Sequence, residues 1–218
     1  MDTRNKMIEA MLIAGHSNSG KSPVGEYFQA QLSTPRRRYH HLDFGECLRM
    51  VLDGRCEAGL SSGEVAYVRS VMNGALLDAA HFVIAGKIVN AFLAQRHFRK
   101  TADVLLLNGM PRNRQQGEDV YKLDIAISTL LLLRCTPEIA RKRKLLSESG
   151  EGYEDRSNRD DAGVAVFQRK LDSFDADTQP LIALLKSTGC AFYEIDVGVA
   201  TSPADVVEQL CRHGFQVA

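Results

Sequence analysis

Gly15-His16-Ser17-Asn18-Ser19-Gly20-Lys21-Ser22 has the spacing G-x-x-x-x-G-K-[ST], with the apolar run Met11 to Ala14 before it and helical character from Lys21 to Leu32 after it. Glycines at both ends let the backbone curl until successive N–H groups face one anion, and a helix starting near Gly20 adds its positive end. Lys21 then reaches the outer phosphates, and the Ser22 hydroxyl is placed to ligate Mg2+. Pro23 sits in the first helical turn, where its missing N–H costs nothing. His16 is read as a contributor of a backbone N–H rather than as a catalytic group. The stretch predicts a strand, a phosphate-binding turn and a helix, in that order.

The same alternation continues outward. Val104 to Leu107, Leu130 to Leu133 and Ala191 to Ile195 are apolar runs of strand length, and Tyr39 to Leu42 is a weaker one. Helices are predicted over Lys21 to Leu32, Gly45 to Leu52, Ser62 to Asp78, Ala85 to Arg99, Gln115 to Leu123, Pro137 to Ser147, Ala162 to Lys186 and Pro203 to Cys211. Strands alternating with helices imply an α/β fold with a parallel sheet flanked by helices, whose ligands gather at the carboxyl ends of the strands. One domain is expected over 1–218. Its core comprises 7–43, 101–148 and 162–215, with a helical insertion at 44–100 and a polar, highly charged lid at 149–161.

Composition excludes several classes of partner. The 218 residues carry 27 Lys plus Arg against 27 Asp plus Glu, so no global field draws the chain to nucleic acid or to an anionic membrane. The triplet Arg36-Arg37-Arg38, with His40 and His41 behind it, reads as a solvated loop or, alternatively, an electrostatic patch. Five cysteines with no Cys-x-x-Cys pair argue against both a disulfide framework and a four-thiolate zinc site, and fit a reducing compartment. The apolar stretch Ile127 to Leu133, interrupted by Ser128 and Thr129, is too short to span a bilayer. The first residues carry both signs of charge and no apolar core of an export signal, so a cytoplasmic location is expected.

A second signature narrows the chemistry. Leu105-Leu106-Leu107-Asn108-Gly109-Met110-Pro111-Arg112 with Gln116 resembles the strand-end segment Asp-Gly-Phe-Pro-Arg of the nucleoside monophosphate kinases, the adenylate kinase family of P-loop kinases. Phe44-Gly45-Glu46-Cys47-Leu48-Arg49 is similar to that family's Thr-Gly-Asp-x-Leu-Arg. Cys135-Thr136-Pro137-Glu138 with Arg143 resembles the entry to its lid. Asn158-Arg159-Asp160-Asp161, Arg169 and Thr178-Gln179-Pro180-Leu181-Ile182 resemble the lid exit and the long helix beyond. These pieces are collinear from about Met11 to Glu208.

The resemblance implies a P-loop NTPase-type fold and transfer of the γ-phosphate of ATP to a nucleoside monophosphate, with Mg2+ accompanying the ATP. It implies an ATP site of Gly15, Asn18, Ser19, Gly20, Lys21, Ser22 and Pro23, with Arg143 against the base. An acceptor site of Gly45, Arg49, Val83, Gly109, Arg112 and Gln116 follows in the same way. Lys21, Arg112, Arg169 and the lid residues Arg156 and Arg159 would neutralise charge on the moving phosphoryl group. Ser22 would bind Mg2+ directly and Asn108 through water. Gln116 at the base-reading position favours AMP, whereas Asn113 leaves CMP or UMP open.

Such transfer needs alignment and electrostatics rather than a protein nucleophile, which fits motifs rich in Arg and Gly. The chain also departs from the family pattern. Asn108 stands where an Asp is usual, Phe44 where a Ser or Thr is, and Ser147 where a second lid Arg is expected. A neutral amide is a weaker partner for a hard cation than a carboxylate. Two alternatives stay open: a metabolite hydroxyl kinase of shikimate or gluconate type, using Asp43 or Glu46 as proton acceptor, and an ATP-binding sensor with little turnover. Oligomeric state is not legible.

Overall fold

β1 (Ile8–Gly15) lies at the centre of a five-stranded sheet in a computed structural model that describes residues 7–72, 75–152 and 164–217. β3 (Val104–Asn108) and β4 (Ile125–Arg134) flank it, and β2 (Tyr39–Asp43) and β5 (Ala191–Asp196) form the edges. The order is β2-β3-β1-β4-β5 and every pairing is parallel. Parallel neighbours require crossovers, which cover both faces, and β3 is accordingly buried along its whole length. The α/β fold read from the alternating pattern is the fold observed.

α1 (Lys21–Tyr27) follows β1 and runs on as a π-helical turn over Phe28–Leu32. α2 (Phe44–Leu52), α3 (Ser62–Val71) and α4 (Phe82–Gln95) lie between β2 and β3. α5 (Arg114–Tyr121) joins β3 to β4, and α6 (Pro137–Glu148), α7 (Val164–Ser173) and α8 (Gln179–Ser187) come before β5. α9 (Pro203–Arg212) closes the series. Among the described residues no helix is long and apolar enough to cross a membrane.

Three helices differ from the pattern: α4, expected over Ala85 to Arg99, runs from Phe82 to Gln95, and two others end or break early. The helix expected to reach Asp78 stops at Val71, and the Asp78 carboxylate, accepting from the His81 N–H at 2.9 Å, instead starts the turn that leads into α4. The long helix expected to Lys186 is broken by a π-helical turn at Phe174–Thr178. Pro180, in the first turn of α8, has no N–H to give the preceding turn, so the helical ladder restarts there.

The sheet separates two apolar clusters. Ala10, Leu12, Leu105, Leu107, Leu130 and Leu132 pack toward residues of α2 to α5 and α8, such as Val51, Ile88, Val120 and Leu181. Met11, Ile13, Leu106, Leu131 and Leu133 face Val24 and Phe28, Ala140, and Val206 and Leu210 of α9. The chain from α7 onward changes sides: Phe167 and Leu171 belong to the second cluster, Phe174 to the first. The polar interruption in β4 marks an irregularity, since Ala10 pairs with Ile127 while Met11 pairs with Thr129. Ser128 is the extra residue, and its hydroxyl donates to the Ala10 carbonyl at 3.3 Å.

The arginine triplet is largely committed to structure. Arg38 and Arg99 both bond the Asp103 carboxylate, which is 1% exposed, and His40 lies 3.2 Å from it. Arg37 pairs with Glu9 at 2.6 Å, while Arg36 is exposed. Burial alone would raise the Asp103 carboxyl, but hydrogen bonds from Arg99, Arg38 and His40 hold it far below the usual carboxylate range.

Candidate active site

The loop after β1 is shaped by two glycines. Gly15 has φ 149°, and a Cβ there would stand 2.5 Å from the Leu133 carbonyl oxygen and 2.6 Å from Ser19 Oγ. Gly20 has φ 99°, and its Cβ would meet the Arg143 guanidinium at 2.8 Å. Lys21 folds back over this loop, its Nζ donating to the carbonyls of His16 at 2.7 Å and Gly15 at 2.9 Å. Among the described residues two buried polar atoms of the loop, His16 Nδ1 and Ser19 Oγ, have no hydrogen-bond partner. The His16 ring lies 4.2 Å from the ring of Phe174, and burial lowers its pKa, with Asp175 opposing and Lys21 reinforcing the shift.

Beside the loop, the ends of β2 and β3 and the first turn of α1 meet in one polar cluster. Ser22 Oγ donates to Asp43 Oδ2 at 2.6 Å, and the Asn108 amide nitrogen lies 3.1 Å from both oxygens. That nitrogen is also 3.3 Å from His41 Nε2. Asp43 Oδ1 meanwhile accepts from the Glu46 N–H at 3.1 Å, capping α2. Burial would raise the Asp43 carboxyl, yet the bonds from Ser22 and Glu46, with His41 and Arg49 nearby, hold it below the usual range.

A cavity of about 620 Å3 opens over this cluster. Gly15, Asn18, Gly20, Lys21 and Ser22 contribute polar lining, and Leu48, Leu52, Val71, Met72, Leu77 and Met110 apolar lining. Asp43, Gly45, Asn108 and Gly109 also line it, as do Arg49, Arg112, Gln116 and Lys170. Ser19 and Pro23 are buried behind the lining. Arg49 is held by the Glu46 carboxylate at 2.7 Å. Arg112 makes no ion pair among the described residues, and burial lowers its pKa against the raising effect of Asp177. Its backbone is clamped instead, the Thr178 hydroxyl donating to the Arg112 carbonyl at 2.9 Å.

Several expected residues stand elsewhere. Val83 is 59% exposed on α4, because Phe82, Ile84, Ala85 and Ile88 take the inward face, and it is not part of the cavity wall. Arg143 is buried and also off the wall, its Nη1 donating to the carbonyls of Gly198, Val199 and Thr201. Arg169 is exposed, and the cation that α7 brings to the cavity is Lys170. Val166, Lys170 and Phe174 line the wall at intervals of four, so a shift of one residue turns a side chain about 100° away. The buried positions Phe167, Leu171 and Phe174 carried that phase in the sequence. Arg156 and Arg159 lie outside the described residues.

Gln116 is a strut as well as a wall residue. Its Nε2 donates to the Leu77 carbonyl at 2.9 Å and its Oε1 accepts from the Arg112 N–H at 2.9 Å. Asn113 caps α5 by accepting from the Gln116 N–H at 2.8 Å, which accounts for it without a base contact. No cluster of three or more His, Cys, Asp or Glu able to hold a metal occurs among the described residues.

No protein-family model matches the chain. Curated relatives do, over nearly its whole length. The chain is 27% identical to adenylate kinase isoenzyme 1 of Bos taurus and 26% to that of Oryctolagus cuniculus, each over 98% of this chain and 97% of the relative. It is 26% identical to the adenylate kinase of Prochlorococcus marinus (strain MIT 9301), over 88% of this chain and 95% of the relative. A parallel α/β sheet with a phosphate loop after its central strand, and similarity to these proteins over nearly the whole chain, are consistent with a divergent adenylate kinase-family member.

Proposed function

We propose that the protein transfers the γ-phosphoryl group of ATP to a nucleoside monophosphate, with AMP the preferred acceptor. One observation carries this reading: a single cavity joins the phosphate loop to Arg49, Arg112 and Lys170, cations contributed by three separate elements. The names of the relatives point the same way. An oxygen of the acceptor phosphate attacks the γ-phosphorus, the bond to the β–γ bridging oxygen breaks, and ADP leaves with that electron pair.

In this reading the loop N–H groups and Lys21 hold the donor phosphates, while Arg49 and Arg112 hold the acceptor phosphate. Lys170 neutralises the group in flight. Arg112 gains the most from an anion, since it is desolvated without a carboxylate partner among the described residues. Ser22 on the cavity wall would hold the divalent cation that accompanies ATP, which would supply charge neutralisation to the phosphates. Residues 44–100 serve as the acceptor-binding insertion, while most of the expected lid at 149–161 lies outside the described residues.

A coupled assay of purified protein with Mg-ATP against AMP, CMP, UMP, GMP and dTMP tests the reading. Diphosphate formation with the highest kcat/KM for AMP is expected. ATP binding by calorimetry with no transfer to any of the five would overturn it.

A further inference from the structure

We infer that Asp43, at the end of β2, is the carboxylate that holds the divalent cation of the bound nucleotide together with Ser22. This deepens the function proposed above and rests on it. The end of β3, where Asn108 stands, offers no charge. Nor does it offer an acceptor toward Ser22, because the amide presents its nitrogen there, 3.1 Å from both Ser22 Oγ and Asp43 Oδ2. The opposite orientation would set the amide oxygen against a carboxylate oxygen, two acceptors with no proton between them. Asn108 therefore steers Asp43 and does not replace it.

The donor set fits a small hard cation. Ser22 Oγ and Asp43 Oδ2 are 2.6 Å apart, close to the roughly 2.9 Å between neighbouring oxygens of an octahedron with metal–oxygen bonds of about 2.0–2.1 Å. Both residues line the cavity beside the phosphate loop, and Ser22 is the second residue after Gly20, so cation and phosphates would share one wall. Asp43 is fixed before any ligand arrives. Its second oxygen caps α2 through the Glu46 N–H, which leaves Oδ2 pointing at Ser22. The position is half-buried and held by protein donors alone, so its charge is available without rearrangement of the strand.

The test compares the wild type with Asp43→Asn and with the double variant Asp43→Asn/Asn108→Asp. Mn2+ binding to the protein with a non-hydrolysable ATP analogue is followed by electron paramagnetic resonance, and binding of the same analogue in EDTA by calorimetry. Asn keeps the oxygen that caps α2, and a thermal melt confirms folding. Asp43→Asn is expected to weaken Mn2+ binding by about tenfold or more, while metal-free analogue binds as well as or better than to the wild type, since a charge repelling phosphate has gone. The double variant, which restores a carboxylate from the adjoining strand, is expected to recover to within about threefold of wild type.

Unchanged Mn2+ affinity in Asp43→Asn overturns the inference, as does an equal loss of metal-bound and metal-free analogue. A folded double variant no tighter than Asp43→Asn also overturns it. Analogue binding by the wild type that Mn2+ fails to tighten sinks this inference but leaves the function standing. Absence of analogue binding under both conditions removes the function and the inference together.

Discussion

The ammonium of Lys21 and the carbonyl of His16 are 2.7 Å apart, so the lysine of the phosphate loop closes over the backbone that it follows. Those carbonyl contacts hold the charge at the loop mouth, on the cavity wall. Lys21→Ala is therefore expected to lower kcat by about 10^2- to 10^3-fold, the range for loss of one well-placed charge donor. Its melting temperature should stay near that of the wild type, because the loop is shaped by its glycines. Steady-state kinetics with a parallel thermal melt check both halves.

Arg112 is desolvated without an ion pair among the described residues, and that is a cost the ligand-free fold carries. Replacement by Met, of similar volume and no charge, is expected to leave the free protein as stable or stabilise it by about 1 kcal/mol. The same variant should raise the acceptor KM by about tenfold or more and leave the ATP KM within about twofold. Loss of ATP affinity equal to the loss of acceptor affinity would refute the assignment of Arg112 to the acceptor side.

Lys170 and Arg169 are neighbours in sequence that face different surroundings, one the cavity and the other solvent. Lys170→Ala is expected to lower kcat by about tenfold or more with little change in stability. Arg169→Ala should stay within about twofold of wild type, as exposed substitutions generally do. The reverse ranking in a turnover assay would place the functional face of α7 on its other side.

Asp103 predicts a pH dependence of stability. Its carboxyl is held far below the usual range by Arg99, Arg38 and His40, so it takes up no proton in the folded state under conditions where the unfolded chain does. The stabilisation it contributes is complete above the ordinary Asp value of about 3.9 and declines as pH falls below it. Asp103→Asn should cost about 3 kcal/mol at pH 7, the lower end of the range for a broken buried pair because both arginines reach solvent. Urea unfolding at pH 7 and pH 3 should show the gap between wild type and variant shrinking at the lower pH.

Much of the fold was legible because it is locally encoded. Apolar runs at Met11, Val104 and Leu130, each followed by a helical segment, specify a buried parallel sheet, and the Gly15 to Ser22 spacing sets its ligand at the end of β1. The site was less legible, because it depends on angular phase and on long-range pairing. Arg169 differs from Lys170 by one step around a helix, and Val83 from Phe82 in the same way. Arg143 is consumed by the carbonyls of the 198–201 loop, a partner some 55 residues away that no local pattern announces. Asp43 had been legible as a carboxylate near the acceptor. Its bond to Ser22 joins the end of β2 to the first turn of α1, which meet only once the sheet has formed.

The extra residue in β4 has a consequence for how the chain tolerates length changes. Before Ser128 the odd-numbered residues Ile125 and Ile127 face the first apolar cluster, and after it the even-numbered Leu130 and Leu132 do. Ser128 acts as a parity switch for the strand, much as an inserted base shifts a reading frame. Excising it would leave Ala10 paired with Ile127 and Met11 with Thr129 in unbroken alternation, so Leu130 to Leu133 would keep their faces and Leu133 its packing on Val24 and Phe28. Register at the floor of the phosphate loop, where Gly15 pairs with Leu133, is thus insulated from a one-residue change in length five residues upstream, at a serine that takes no part in the cavity.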